Sequence, residues 1–459
     1  MTAPANSSAN EPDSGGADSN RADSWSRRIE SRYHCVLEKD LVDWFDSERW
    51  RQSFACAAGR FCEPVSAEEL LSPAPSAIWP GLMPCDCLPL LGNGMGDWLC
   101  LRLAVDHGSA NAGNMLVHWY HGGGDWIPWS SHGGDKLPLA QAVLFDALRQ
   151  ELPGGDREHA IPADHPDAEL KLDADPLLDW ATHWLDAGGW NRTQHLTLLE
   201  GHQMAAAMIE HDVAQVAVRC QLVMDALDNP AISADVRSQW PAKHARIEQS
   251  LFDNALIDRS WWPKKGPPGA HTLKQQDWDA VLEHCQAVSR IAPEIAWGWD
   301  VMGYAYERRG DLDAAVDCYT QGLRCSIFTD QTVRVRTHGF TSDSEKFSAS
   351  RLMHLDREPA PNDVNAYFQI LKQPSADRRR LDVTEHFRER AQAAELQKGD
   401  SQDPYLDWVR AGWDLGAETM KAFPDLLDHI TTSARLAGRD AQAAIAATHR
   451  ECFRQRYHL

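Results

Sequence analysis

Basic residues are scarce in this chain. Lys and Arg number 45 against 67 Asp and Glu in 459 residues, a formal net charge of -22 at pH 7. That deficit argues against a general nucleic-acid binder, which needs a basic face to neutralise phosphates. It argues equally against docking on anionic lipid. Basic proteins or peptides are the charge-compatible partners. Long apolar runs are lacking too, since no stretch approaches the ~18 residues that span a bilayer. The opening segment, MTAPANSSANEPDSGGADSN, has neither a basic n-region nor an apolar core, so no signal peptide is expected there. The 11 cysteines, an odd number, are scattered from Cys35 to Cys452 without the even, close spacing of a secreted disulfide scaffold. Cys85-Asp86-Cys87 has no second pair at zinc spacing and reads as two buried thiols on a strand or turn. These features predict a cytoplasmic protein with no metal and no cofactor. Tyr (8) and Phe (12) are few, but Trp is abundant at 19. Trp buries a large ring while keeping an N–H that needs a partner, so it suits helix packing and binding surfaces.

At roughly 100–200 residues per domain, the length predicts two to four domains. Residues 1–24 carry almost nothing to bury and read as a disordered tail. Residues 25–150 read as a small α+β domain. Leu37, Leu41, Trp44 and Phe45 fall at helical spacing, and 98–103 and 115–120 read as strands joined by the Gly/Asn-rich loop 106–114. Trp126-Ile127-Pro128-Trp129 reads as a further, edge strand because of its Pro. Leu139, Val143, Leu144 and Leu148 place a closing amphipathic helix over 137–152. Between Glu151 and Asp186 there are ten acids and two bases, broken by four prolines, so 151–179 reads as an acidic linker. From residue 180 to 459 convincing long strands are absent, and helical periodicity recurs through 193–226, 234–256, 278–291, 374–396, 405–422 and 441–456. Trp261 to Gly269, with its Lys, Gly and Pro residues, reads as a rigid loop between helical units.

Within that helical part, 296–325 has a specific pattern. Trp299-x2-Met302-Gly303-x2-Tyr306 is followed by Ala315-x3-Tyr319-x2-Gly322. Gly303 permits close approach of a second helix, Tyr306 and Tyr319 fill the space between the two, and Gly310-Asp311 makes the turn. The pattern resembles the tetratricopeptide family over about 278–325, with Pro293 stopping an earlier helix. One such unit cannot bury its faces alone, so neighbouring helical pairs must complete the stack. The resemblance implies an array that binds peptides.

The N-terminal texture centres on Leu88-Pro89-Leu90, Gly96-Asp97 and Trp98-Leu99-Cys100-Leu101, with 115–120 as hairpin partner and 137–148 as closing helix. It resembles the SUKH superfamily, in its Smi/Knr-like branch, over about 30–150. That resemblance implies a non-enzymatic binding domain: an immunity protein that neutralises a toxin, or a regulatory adaptor that contacts protein partners. Asp97 after Gly96 reads as structural, its carboxylate bonding backbone N–H groups where the strand begins. The Gly-rich GNGMGD precedes a strand rather than a helix, so it is no dinucleotide loop.

Enzyme signals are weak. There is no Gly-x-Ser-x-Gly elbow, phosphate loop or His-Glu-x2-His. His118 and His121, three apart, are expected on opposite faces of a strand and so unable to share an ion without a bend. His202 and His211 are not on adjacent helical turns. Partner contacts are expected from Trp119, Trp126 and Trp129, where alternation puts at least one ring on an outer face. The locally basic stretch around Arg334, Arg336 and His338 is the odd piece in an acidic array, and it offers a site for an acidic ligand or phosphate. A hydrolase or ligand-binding protein using that stretch is the alternative to a protein-recognition role.

Overall fold

The computed structural model describes residues 24–52, 60–80, 83–103, 114–119, 121, 126–129, 138–143, 146, 176–187, 218, 222, 278–291, 293, 295–325, 346–360, 362–396, 403–411 and 417–459. The tail to residue 23, most of the acidic stretch, the Trp261–Gly269 loop, His202, His211 and the Arg334, Arg336 and His338 stretch lie outside the described residues. The architecture is a small antiparallel sheet with helices near the N-terminus, followed by a largely helical region.

The N-terminal part begins with α1 (Trp25–Tyr33) and α2 (Lys39–Asp46), then β1 (Glu63–Pro64) and the short α3 (Ala67–Leu70). Strands β2 (Cys87–Gly92), β3 (Trp98–Arg102), β4 (Met115–Trp119) and β5 (Trp126–Trp129) complete a five-stranded antiparallel sheet in simple sequential order. Pro89 lies inside β2, between two neighbours. The register shifts between Pro89 and Leu91, and such a bulge is how a central strand accommodates a residue without an N–H.

The pleat sorts the side chains onto two dry faces. Leu99, Leu101 and Leu116 join Ile29, Leu41, Trp44, Phe45 and Leu139 in one core, while Cys87, Cys100, Val117 and Trp119 join the C-terminal helices in another. Residues 139–143 are helical, and their start is fixed where Ala140 N donates to Asp40 Oδ2 at 3.3 Å. Helix α4 (Pro176–Ala187) starts inside the stretch read as a linker. It packs Leu177, Leu178 and Trp180 into the first core, with the Trp180 indole donating to Asp43 at 2.8 Å.

The helical region contains α5 (Trp278–Ile291), α6 (Ala296–Arg309), α7 (Leu312–Arg324), α8 (Phe347–His354), α9 (Asn362–Leu371), α10 (Ala376–Leu396), α11 (Pro404–Ala411), α12 (Ala417–Leu436) and α13 (Asp440–Tyr457). Among the described residues no helix is long and apolar enough to cross a membrane. Helix α6 is buried on most sides because α5, α7 and α8 all pack on it. Gly310 ends it at φ +79, and Asp311 starts α7 by accepting from Ala314 N at 3.2 Å. Where α7 ends, the buried Lys346 ammonium donates to the carbonyls of Gly322 and Cys325 at 3.1 and 3.0 Å. A cation there satisfies carbonyls left without helical partners and complements the helix dipole.

The two parts touch. Gln442 Nε2 of α13 donates to Leu103 O at 3.3 Å, Cys452 Sγ approaches Pro75 O at 3.3 Å, and Arg456 donates to Ser76 O at 3.0 Å. The Arg456 guanidinium also lies over the Trp79 ring, 4.7 Å from its centroid.

Candidate functional site

The strongest constellation of polar groups in the N-terminal part sits where β2 turns into β3. Asn93 is buried, and its Oδ1 accepts from Met95 N at 2.9 Å and Asp97 N at 3.1 Å. Asn93 N donates to Asp97 O at 3.2 Å, closing the turn. Gly94 and Gly96 have φ of +68 and +97, a region that other residues enter only with strain. A methyl group at Gly96 would also lie 3.1 Å from the His121 ring. Sequence and geometry therefore lock a tight loop whose tip residue, Met95, is 59% exposed.

Asp97 sits at the base of that loop between two imidazoles. Its Oδ1 accepts from His121 N at 3.1 Å and lies 2.8 Å from His121 Nδ1, while Oδ2 lies 3.7 Å from His118 Nε2 and accepts from Asn93 Nδ2 at 3.2 Å. Burial works against ionisation of Asp97, but hydrogen bonding from His118 and His121 outweighs it and holds the carboxyl below its usual range. The bend that convergence of His118 and His121 requires is present, because β4 ends at Trp119 and His121 stands in a turn rather than on the strand. His118 is buried edge-on against Phe61, with ring centroids 4.7 Å apart, and His121 is half exposed.

An aspartate bonded to Nδ1 of a half-exposed imidazole orients its Nε2 outward, where it can accept a proton or a hydrogen bond. Among the described residues, neither Asp97 nor His121 is hydrogen-bonded to a Ser, Thr or Cys, so no activated nucleophile is assembled there. Among the described residues no group of three or more His, Cys, Asp or Glu is placed to hold a metal ion. Cys62 is disulfide-bonded, whereas Cys85, Cys87 and Cys100, in the other core, are free and buried. Burial pushes the Cys85 thiol up to about 12, and those of Cys87 and Cys100 well above the ordinary value, so all three are inert as nucleophiles.

The residues singled out in the sequence fall in different places. Trp119 is fully buried between the sheet and the C-terminal helices, so it offers no ring to a partner. The alternation argument assumed one wet face, and this sheet has none at that strand. Trp126 and Trp129 lie on β5, paired with Trp119 and Leu116. In the helical part, Gly303 lies under the ring of Tyr319, and Ala315 is buried beside them. The Tyr319 hydroxyl donates to Glu307 Oε2 at 2.8 Å, and Glu307 is also paired with Arg351. Trp299 and Tyr306 are half-buried, with the Trp299 indole donating to Pro293 O at 2.7 Å. Sequence reading missed the Asn93 side chain and the shared use of Asp97 by two histidines. The signal available was an Asn four residues before an Asp in a Gly-rich loop, the spacing of a turn closed by side chains. Comparison with protein-family models, characterised proteins and solved structures yields no match to this chain.

Proposed function

We propose that the protein is a non-enzymatic recognition protein that binds a protein or peptide partner. On this reading its N-terminal part is a Smi/Knr-like SUKH domain and its helical part a tetratricopeptide-like array. It serves as an immunity protein or a regulatory adaptor, and the acidic composition favours a basic partner. The observation that carries the reading is the loop at Met95. A rigid turn held by Asn93 and Asp97 presents an exposed, adaptable apolar side chain beside the half-exposed His121. Met95 contributes nothing to the cores beneath it, and methionine is a side chain that fits irregular partner surfaces.

The test is co-expression with the product of the reading frame immediately beside this gene. Recognition through the loop predicts rescue of growth or a co-purifying complex that is lost in Met95→Asp. The complex should persist in Leu436→Asp, a change at another exposed apolar side chain on α12. If Met95→Asp binds as well as the unaltered chain, the loop is not the contact. If the purified protein instead carries a stoichiometric small ligand, the recognition reading itself falls.

A further inference from the structure

Helix α13 makes side-chain hydrogen bonds from the helical region to the N-terminal part, beside the apolar contact of the sheet with the C-terminal helices, and its docking stripe can be read from its own periodicity. Gln442, Ile445, His449, Cys452 and Arg456 are spaced three or four apart, so they form one face. Gln442 bonds Leu103, Ile445 enters the N-terminal core, Cys452 reaches Pro75, and Arg456 reaches Ser76. His449 is the middle member of that face. It is 0% exposed, and neither ring nitrogen has a hydrogen-bond partner. Buried polar atoms are almost always paired, so an imidazole left bare inside a docking face needs an explanation.

We infer that His449 makes this junction a pH-operated latch: the helical region stays docked while the imidazole is neutral, and protonation releases α13 from the N-terminal part. A neutral unpaired imidazole already forfeits its hydrogen bonds in that seam, and an imidazolium there costs far more because it lacks both water and a counter-charge. The ionisable groups on the elements meeting at the junction do not supply one. Arg456 and Cys452 share the α13 face, and α1 contributes Arg32, bonded to Leu71 O and Ser72 O, Tyr33, bonded to Leu70 O, and Glu30, which accepts from Leu37 N and pairs with Arg27. Asp428 on α12 and Glu451 on α13 are both bonded to Arg450. Segment 75–79 and Leu103 are not ionisable. Burial first, and then the Arg456 charge, push the His449 pKa from 6.5 down to about 3.

The sign follows from linkage. The undocked state binds a proton near the ordinary value and the docked state does not, so docking is complete above pH 6.5 and weakens as pH falls below it. The undocked population should rise about tenfold per pH unit in that range, hence roughly 30-fold by pH 5.0.

Hydrogen exchange on the full chain tests this. After correction for intrinsic rates, amides of 76–79, 103 and 440–457 should gain exchange together by about 30-fold between pH 7.5 and 5.0. Those of α6 and α7 serve as an internal reference and should not follow. His449→Leu should abolish the pH dependence, with His449→Gln as a second neutral variant. In the unaltered chain, exchange at the His449 Cε1 proton reads the same titration directly. Unchanged protection of the junction at pH 5.0 would overturn the inference. So would the full response persisting in the Leu variant, or a native His449 midpoint near 6.5.

Discussion

Replacing Gly303 by Ala sets two effects against each other inside the α6–α7 pair. By intrinsic propensity alone, the substitution should stabilise a helix interior by about 1 kcal/mol. The geometry opposes it. A Cβ at position 303 would stand 2.5 Å from Tyr319 Cε1, 2.7 Å from Cδ1 and 3.1 Å from Cζ. The Tyr319 ring cannot simply swing away, because its hydroxyl is bonded to Glu307 and its other neighbours include Phe347 at 6.4 Å between centroids. Glu307 is itself held by Arg351, so movement of the ring disturbs a buried ion pair as well. Overpacking of this kind costs about 1–3 kcal/mol, and tilting a hydrogen bond to a charged group adds about 1–2 more. The net expectation is a destabilisation of about 1–4 kcal/mol, the propensity gain included. Amide exchange in α6 and α7 reads this pair itself rather than the whole chain. A double-mutant cycle with Tyr319→Leu isolates the contact, because removing the ring should remove most of the cost and leave a coupling above about 1 kcal/mol. Protection in Gly303→Ala equal to or greater than that of the unaltered chain would refute the reasoning.

Glu307→Gln should destabilise the helical region by about 3–5 kcal/mol, because it leaves the buried Arg351 guanidinium without its counter-charge; thermal unfolding followed by circular dichroism checks the value. Asp97 gives a pH signature at the other end of the molecule. Its pKa is lowered in the folded chain, so the stability it contributes is present above about pH 4 and is lost as pH falls through the folded value. Asp97→Asn should therefore lower protection of residues 93–97 at neutral pH and remove the acid-dependent part of it, as read by exchange across the acid range.

Much of the architecture was legible because local chemistry and tertiary packing agree there. Asp106 to Asn114 and Gly122 to Asp125 punctuate the chain with turn residues, and apolar runs between such stretches became β3, β4 and β5. The spacing around Gly303, Gly310, Ala315 and Tyr319 placed two helices and their turn, and α6 and α7 stand there with Gly310 in the left-handed conformation that ends the first. Helix α4 was not foreseen. Its first residues, Pro176-Leu177-Leu178, end a stretch whose charge and prolines dominate any window drawn across it, although Pro is well suited to a first helical position.

The candidate site was less legible, for a physical reason that also explains the error at Trp119. Alternation tells which side chains share a face only while the strand continues and only if one face is wet. Both conditions fail within three residues. The strand stops at Trp119, and the turn that follows carries His121 back toward the Asp97 that His118 already approaches. One residue earlier, the outer face is not outer at all, because a terminal helix packs the helical region over it. The contact that reveals this, Gln442 to Leu103, joins residues 339 apart in the chain. No local pattern encodes such a contact. Cys85, Cys87 and Cys100, small and apolar on the side away from Leu99 and Leu101, are its trace in the sequence, and they distinguish a covered face from an exposed one.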